Sequence, residues 1–202
     1  MEKYFMHICK KFGTEKRCSD TYTKLVATYR TPARFYHTFY GHIAFCIAEL
    51  KDVPTRLIND RETVAMAIFM HDAFPQSGDE KRSATFATAL CREMGMPDTF
   101  GEKVANLILS TTHNTCPADN DAKVIIDIDL TIFGQSTEIF DTYEKNIRKE
   151  YSHIPADIFA RERAKILRRF LHRPFIFLTE YFREKYEKQA KSNLRRSIDH
   201  LT

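Results

Sequence analysis

The chain is expected to be all-α, and two observations carry that expectation. Gly and Pro together make up thirteen of its 202 residues, about half of what an ordinary usage near 12% supplies. The stretches between these breakers run mostly to roughly 12 to 22 residues, which is helix length rather than strand length. The same shortage of turn residues excludes a turn-dense β-sandwich or barrel, and it excludes a Gly-rich phosphate loop. Apolar residues at 43% and charged residues at 29% give the balance of a folded domain, neither disordered nor membrane-spanning. The expected architecture is one compact helical domain over residues 1–202, with 145–202 as its basic C-terminal helices.

Each segment has its own reason. Residues 33–51 place Ile43, Ile47 and Leu50 on one stripe and predict a helix. Residues 60–72 carry Val64, Ala65, Ile68 and Phe69 at helical spacing and predict a more buried one. Residues 79–94 and 98–112 follow, the latter with Val104, Leu107 and Ile108 in register. Ser136 is placed to cap a helix that runs to Tyr151. Pro155 suits the first position of the next helix, and 175–198 predicts the last.

Residues 126–132 resist this pattern. Ile126-Asp127-Ile128-Asp129-Leu130-Thr131-Ile132 alternates apolar with polar, which by period alone is a half-buried strand with both carboxylates on one face. As a helix it sets Asp127 and Asp129 about 200° apart, so that one of them reaches a given site. An isolated strand has nothing to pair with in a helical chain, which pulls the segment back towards a buried helix.

The net charge of +4 hides a skew. Residues 145–196 hold fifteen Lys and Arg against six Asp and Glu, and the rest of the chain holds sixteen against twenty-one. A basic stretch of this kind serves an anionic partner or forms solvated helix faces. No aromatic–basic interleaving accompanies it, which argues against nucleic acid. The first twelve residues lack the apolar core of a signal peptide, and no run of 18 apolar residues marks a membrane helix. Five cysteines without a CxxC pair argue against a thiolate zinc site and for idle thiols in a reduced cytoplasm.

The chemistry gathers around Phe69-Met70-His71-Asp72, an imidazole and a carboxylate where an apolar helix meets a loop. A capped, hydrogen-bonded pair explains the dipeptide alone. Tyr36-His37-Thr38 and His42 lie upstream and Ile128-Asp129-Leu130 downstream. Together these are nitrogen and oxygen donors on separate helices, a set suited to Mn, Fe, Co, Ni, Zn or Mg.

At these residues the chain resembles the HD-domain metal-dependent phosphohydrolases, and more narrowly their small single-domain bacterial branch. The matching stretches run from about residue 12 to residue 196. They are Arg34-Phe35-Tyr36-His37-Thr38 with His42-Ile43, Phe69-Met70-His71-Asp72-Ala73, Glu80 with Ser83-Ala84, and Leu109-Ser110-Thr111-Thr112-His113. Then come Ile126-Asp127-Ile128-Asp129-Leu130 through Gly134, Ile147-Arg148-Lys149-Glu150-Tyr151, Phe170-Leu171-His172-Arg173-Pro174 and Ala190-Lys191-Ser192-Asn193-Leu194.

The resemblance implies an all-helical fold and a divalent metal held by His37, His71, Asp72 and Asp129. Asp72 then carries the catalysis with Glu80, which orients or deprotonates a water. It implies hydrolysis of a small phosphorylated molecule, a nucleotide among the candidates. His42, His113 and Arg148 form a second group that contacts substrate or a second metal, with Arg163 and Arg173 in motif-like positions. Asp127 stays open as the alternative to Asp129. His42 stays open as the alternative to His37, because it lies five residues on where relatives place their second His four on. The extra residue rotates it by about 100° unless a bulge near Tyr40-Gly41 absorbs it. Glu80 reads equally as a first-turn carboxylate facing the helix dipole, and His113 as a helix C-terminal cap. The loop 74–78 is shorter than in typical relatives, which alters the expected entrance to the site. A non-catalytic sensor that binds a metal and a nucleotide is the alternative function. The sequence leaves the oligomeric state open.

Overall fold

A computed structural model describes residues 1–74, 79–114 and 116–202. Among them it shows ten α-helices, one π-helical turn, two short 3-10 turns and no strand. The all-α expectation holds. The chain divides into two compact units, Met1–Ile125 and Ile126–Thr202. Among the described residues no helix is long and apolar enough to cross a membrane.

The first unit begins with α1 (Glu2–Cys9) and α2 (Glu15–Thr28). A π-helical turn at Phe39–Ile43 leads into α3 (Ala44–Asp52), and α4 (Arg61–Met70), α5 (Glu80–Glu93) and α6 (Asp98–Ser110) follow. The segment 120–130 is helical as α7 (Asn120–Leu130), so the alternating pattern does not make a strand. The reason is burial: Ile126, Asp127 and Ile128 are all buried, so neither face is a solvent face and the alternation carries no strand signal.

Helix α4 is the core element. Thr63 to Met70 are all buried, as expected of a helix that is apolar all round. Its start is fixed by Asp60, whose carboxylate accepts from the Thr63 N–H at 3.0 Å and the Thr63 hydroxyl at 2.6 Å. Asp121 in turn accepts from the N–H groups of Asn59 and Asp60 at 2.6 and 2.9 Å. The end of α4 is held by rings. Phe69 lies 5.4 Å from Phe5 and 6.1 Å from Phe39, and Phe39 lies 5.4 Å from Tyr29 and 5.7 Å from Tyr22. Such pairs add about 0.5–1.5 kcal/mol each beyond their burial. With no Trp in the chain, these Phe and Tyr rings supply the bulk, and they bind the π turn to the end of α4. Helix α5 ends on Gly95, whose φ of +84° places it in the left-handed region and turns the chain towards α6.

Two sequence expectations change here. The helix predicted from residue 33 starts six residues later, because Pro32 and the loop after it keep 30–38 out of helical geometry. The thiols are not all idle: Cys9 and Cys18, both fully buried, form a disulfide between α1 and α2. Cys46 and Cys91 are buried and Cys116 is exposed. Burial pushes the Cys91 thiol up to about 12. In the folded chain, an alkylating reagent at pH 8 is therefore expected to label Cys116 quickly and Cys91 only after denaturant. Mass spectrometry of the labelled peptides checks this.

The second unit holds α8 (Thr137–Glu150), α9 (Ala156–Leu171) and α10 (Glu180–Leu201). Ser136 caps α8 as predicted, accepting from the Ile139 N–H at 3.5 Å. Pro155 is the cap residue of α9, one place before its first helical position. Helix α10 begins at 180 rather than 175, since 175–179 is irregular. Three buried or half-buried polar side chains join these pieces. Asn193 donates to the carbonyls of Phe133 and Gln135 at 2.9 and 2.8 Å. Glu187 accepts from the Ile176 N–H at 3.0 Å. Arg163 donates to Glu144 at 2.5 Å and to the Tyr143 hydroxyl at 2.7 Å. Of the fifteen basic residues between 145 and 196, Arg163 is the one that is buried, and the others lie on exposed or half-exposed faces.

Candidate metal centre

His71 and Asp72 sit where α4 ends, and His42 sits in the π turn that opens α3. The π turn answers the spacing problem. Its five-residue repeat is marked by the Ile43 N–H donating to the Thr38 carbonyl at 3.3 Å, and it absorbs the extra residue between the two upstream histidines. The Thr38 hydroxyl accepts from the Gly41 N–H at 3.1 Å. A Cβ at Gly41 would lie 2.5 Å from that hydroxyl, so this position favours glycine by space.

Three donor atoms converge. His42 Nε2 lies 3.1 Å from Asp72 Oδ2, His71 Nε2 lies 3.2 Å from the same oxygen, and the two imidazole nitrogens lie 3.2 Å apart. His71 Nδ1 is 2.9 Å from the Ile68 carbonyl, so a proton is there, and in the neutral ring Nε2 carries the lone pair. His42 Nδ1 is 3.7 Å from the Cys46 sulfur, a weak acceptor one turn along α3. Two nitrogen lone pairs and a carboxylate oxygen at this spacing repel one another unless a proton or a cation lies between them. Neighbouring donors around an ion with bonds of about 2.1 Å are about 3.0 Å apart in octahedral and about 3.4 Å apart in tetrahedral geometry. The observed spacings fall between these values, and the group could hold a metal ion.

Burial works against the charge on Asp72, but with protons on the imidazole nitrogens that face it His71 and His42 hold its carboxyl well below the usual range; a cation in place of those protons would act in the same direction. The histidine side chains are 1% and 3% exposed and that of Asp72 is 24% exposed, so the group opens to solvent on the side of the carboxylate.

A residue that sequence reasoning passed over holds the group in place. Arg34 is buried and donates to the carbonyls of His37 and Asp72 at 2.8 Å each and of Ala73 at 2.7 Å. Its guanidinium lies 4.7 Å from the centre of the Tyr29 ring, and the Tyr29 hydroxyl donates to the Phe69 carbonyl at 3.0 Å. Arg34 thereby ties the loop before the π turn to the turn after α4. Its burial could not be read from the sequence, where it is one Arg among many.

The remaining predicted residues fall as follows. His37, expected as the first ligand, is half-buried and stands edge-on to His42 with ring centres 5.6 Å apart. It is His42 that joins His71 and Asp72, because the π turn points it inward. The Tyr36 ring packs against both, 4.9 Å from His37 and 4.7 Å from His42. Glu80 opens α5 in its first turn and makes no hydrogen bond or ion pair with any described residue, which fits a carboxylate facing the helix dipole. His113 lies three residues past the end of α6, whose C-cap is Thr111, and has a left-handed φ of +57°. The loop 74–78, expected to shape the entrance, lies from 75 to 78 outside the described residues.

In the second unit, Asp127 and Asp129 are separated by their partners. Asp127 is fully buried and accepts from the Leu178 N–H at 2.6 Å and from the Thr179 N–H and hydroxyl at 2.8 Å each. Burial pushes its carboxyl up to about 6 against those bonds. Both oxygens are committed to fixing the start of α10, whereas Asp129 is half-buried on the same helix. Asp127→Ala is expected to destabilise the fold by about 2–4 kcal/mol through orphaned N–H groups, read as a lowered denaturation midpoint.

Arg148, expected on a substrate phosphate, donates to the carbonyls of Tyr151 and Ile154 at 2.7 and 3.1 Å and lies over the Phe159 ring at 4.9 Å. Those bonds close the C-terminal end of α8. Arg163 is held by Glu144 and Tyr143. The Arg173 guanidinium lies 4.6 Å from the centre of the Phe170 ring.

No family model, curated protein or solved structure matches the chain.

Proposed function

We propose that the chain is a metal-dependent phosphohydrolase of the HD-domain type, acting on a small phosphorylated molecule. The observation that carries this is the triangle of His42 Nε2, His71 Nε2 and Asp72 Oδ2 at 3.1–3.2 Å. The ordered match of motifs along the sequence supports it. Asp129 is the fourth ligand that the resemblance assigns, in place of Asp127. A divalent ion bound there would act as a Lewis acid towards a phosphoryl oxygen and lower the pKa of a water.

The chain's own residues do the rest. His71 is fixed as a donor by the Ile68 carbonyl, His42 is brought inward by the π turn, and Arg34 holds both supporting loops. The exposed side of Asp72 is where a phosphoryl group would approach. Glu80, free of other partners among the described residues, is the carboxylate placed by resemblance to orient the attacking water. His113 is the remaining candidate for a substrate contact.

A cytoplasmic location is part of the proposal. The Cys9–Cys18 bond runs against it, since such bonds are rare in reducing compartments. Trapping the thiols in intact cells decides the point.

The experiment is a hydrolysis screen over nucleotides and generic phosphate esters with Mn, Fe, Co, Ni, Zn and Mg. Turnover that a chelator abolishes and metal restores is the expected result. Tight nucleotide binding without turnover would favour the sensor reading, and neither binding nor turnover would overturn both.

A further inference from the structure

The second unit contains a cleft of about 450 Å³ built by all three of its long helices. Helix α8 contributes Lys145 and Arg148, α9 contributes Phe159 and Ala160, and α10 contributes Arg196 and His200. The volume is that of a small-molecule site.

Its charges are unevenly met. Two acids, Asp141 and Glu144, also line the cleft. Each has its own cation: Asp141 is 2.6 Å from Arg196, and Glu144 is 2.5 Å from Arg163. Arg148 bonds carbonyl oxygens, which leave its charge unmatched by a carboxylate. Lys145 makes no hydrogen bond or ion pair with any described residue. The cleft therefore carries two cations, Lys145 and Arg148, that no carboxylate among the described residues meets, beside an aromatic ring and a small apolar side chain.

We propose that this cleft binds a small organic anion made of a flat apolar body and one acidic head. The body lies against Phe159 and Ala160, and the head is met by Lys145. Guanidinium and ammonium groups favour carboxylate or phosphate heads alike, so the shared chemistry is an anionic oxygen group on a ring. This inference does not rest on the reading of the His42–His71–Asp72 group.

The probe is 1-anilinonaphthalene-8-sulfonate, a flat aromatic sulfonate, titrated into the full chain and followed by fluorescence. Saturable binding is expected, weakened at least tenfold in Lys145→Glu and lost in Ala160→Phe, which fills the cleft. Circular dichroism confirms that both variants are folded. Phenyl phosphate and benzoate are expected to displace the dye, and the better competitor assigns the head as phosphate or carboxylate. Equal dye affinity in the parent and in Lys145→Glu overturns the proposal, as does failure of both anions to compete. Metal content measured on Lys145→Glu should equal that of the parent, which separates this test from the one on the metal centre.

Discussion

Replacing Asp72 with Ala is expected to remove metal binding and turnover together. The carboxylate is the one anionic donor in the triangle of the first unit, 3.1 Å from His42 and 3.2 Å from His71. Without it, two neutral imidazoles face a divalent charge alone. The loss in kcat should reach about 10³-fold or more, some 4 kcal/mol of transition-state stabilisation. A thermal readout accompanies it. At a metal concentration of about one hundred times Kd, bound metal stabilises a protein by about 2.7 kcal/mol, so added metal should raise the melting temperature of the parent. It should leave Asp72→Ala unmoved. Asp72→Asn keeps the shape and removes the charge. It should resemble Asp72→Ala if the negative charge is what matters, and it would retain activity if Asp72 served only as a hydrogen-bond acceptor for the two imidazoles.

The second large effect is expected at Arg34. One buried guanidinium satisfies the carbonyls of His37, Asp72 and Ala73. In Arg34→Met those three acceptors lose charged donors, and the fold should lose about 3 kcal/mol or more. Because two of the carbonyls lie on the segments that carry the donors, metal affinity should also fall by about 10–100-fold. Arg34→Lys is the informative companion. Its point charge cannot span three carbonyls as the planar fork does, so it should recover part of the stability and little of the affinity. Denaturant unfolding and metal titration read the two effects separately. Equal affinity in all three proteins would show that Arg34 serves stability alone.

The sequence made the helices legible where apolar spacing was regular. Val64, Ala65, Ile68 and Phe69 announced α4, and Ser136 announced the start of α8. It failed where geometry depends on distant partners. The alternation from Ile126 to Ile132 mimics a strand because both faces of that helix are buried, and period alone cannot distinguish the two cases. Asp127 looks like a ligand in a motif, yet its oxygens are taken by Leu178 and Thr179, some fifty residues away.

The five-residue gap from His37 to His42 contained its own answer. A bulge at Tyr40-Gly41 was one of two readings, and the π turn is that bulge. The sequence did not say which imidazole it would turn inward, since this follows from the packing of Phe39 against Phe69 and Tyr29. The pairing of Cys9 with Cys18 was missed because a count of five thiols without a CxxC pair says nothing about which two meet. Arg148 and Arg163 were expected to reach a substrate phosphate, but each is bound to groups of its own unit: carbonyls for Arg148, and Glu144 and Tyr143 for Arg163.

The most direct test of the centre is the metal content of the full chain and two variants. Each is loaded with Mn, Co or Zn, dialysed, and measured by plasma mass spectrometry. The parent and His37→Ala should retain about one equivalent or more of metal per chain, and His42→Ala should fall to about a tenth of that or less. Retention in His42→Ala with loss in His37→Ala would contradict the centre as described, and so would a parent that binds none of the three metals.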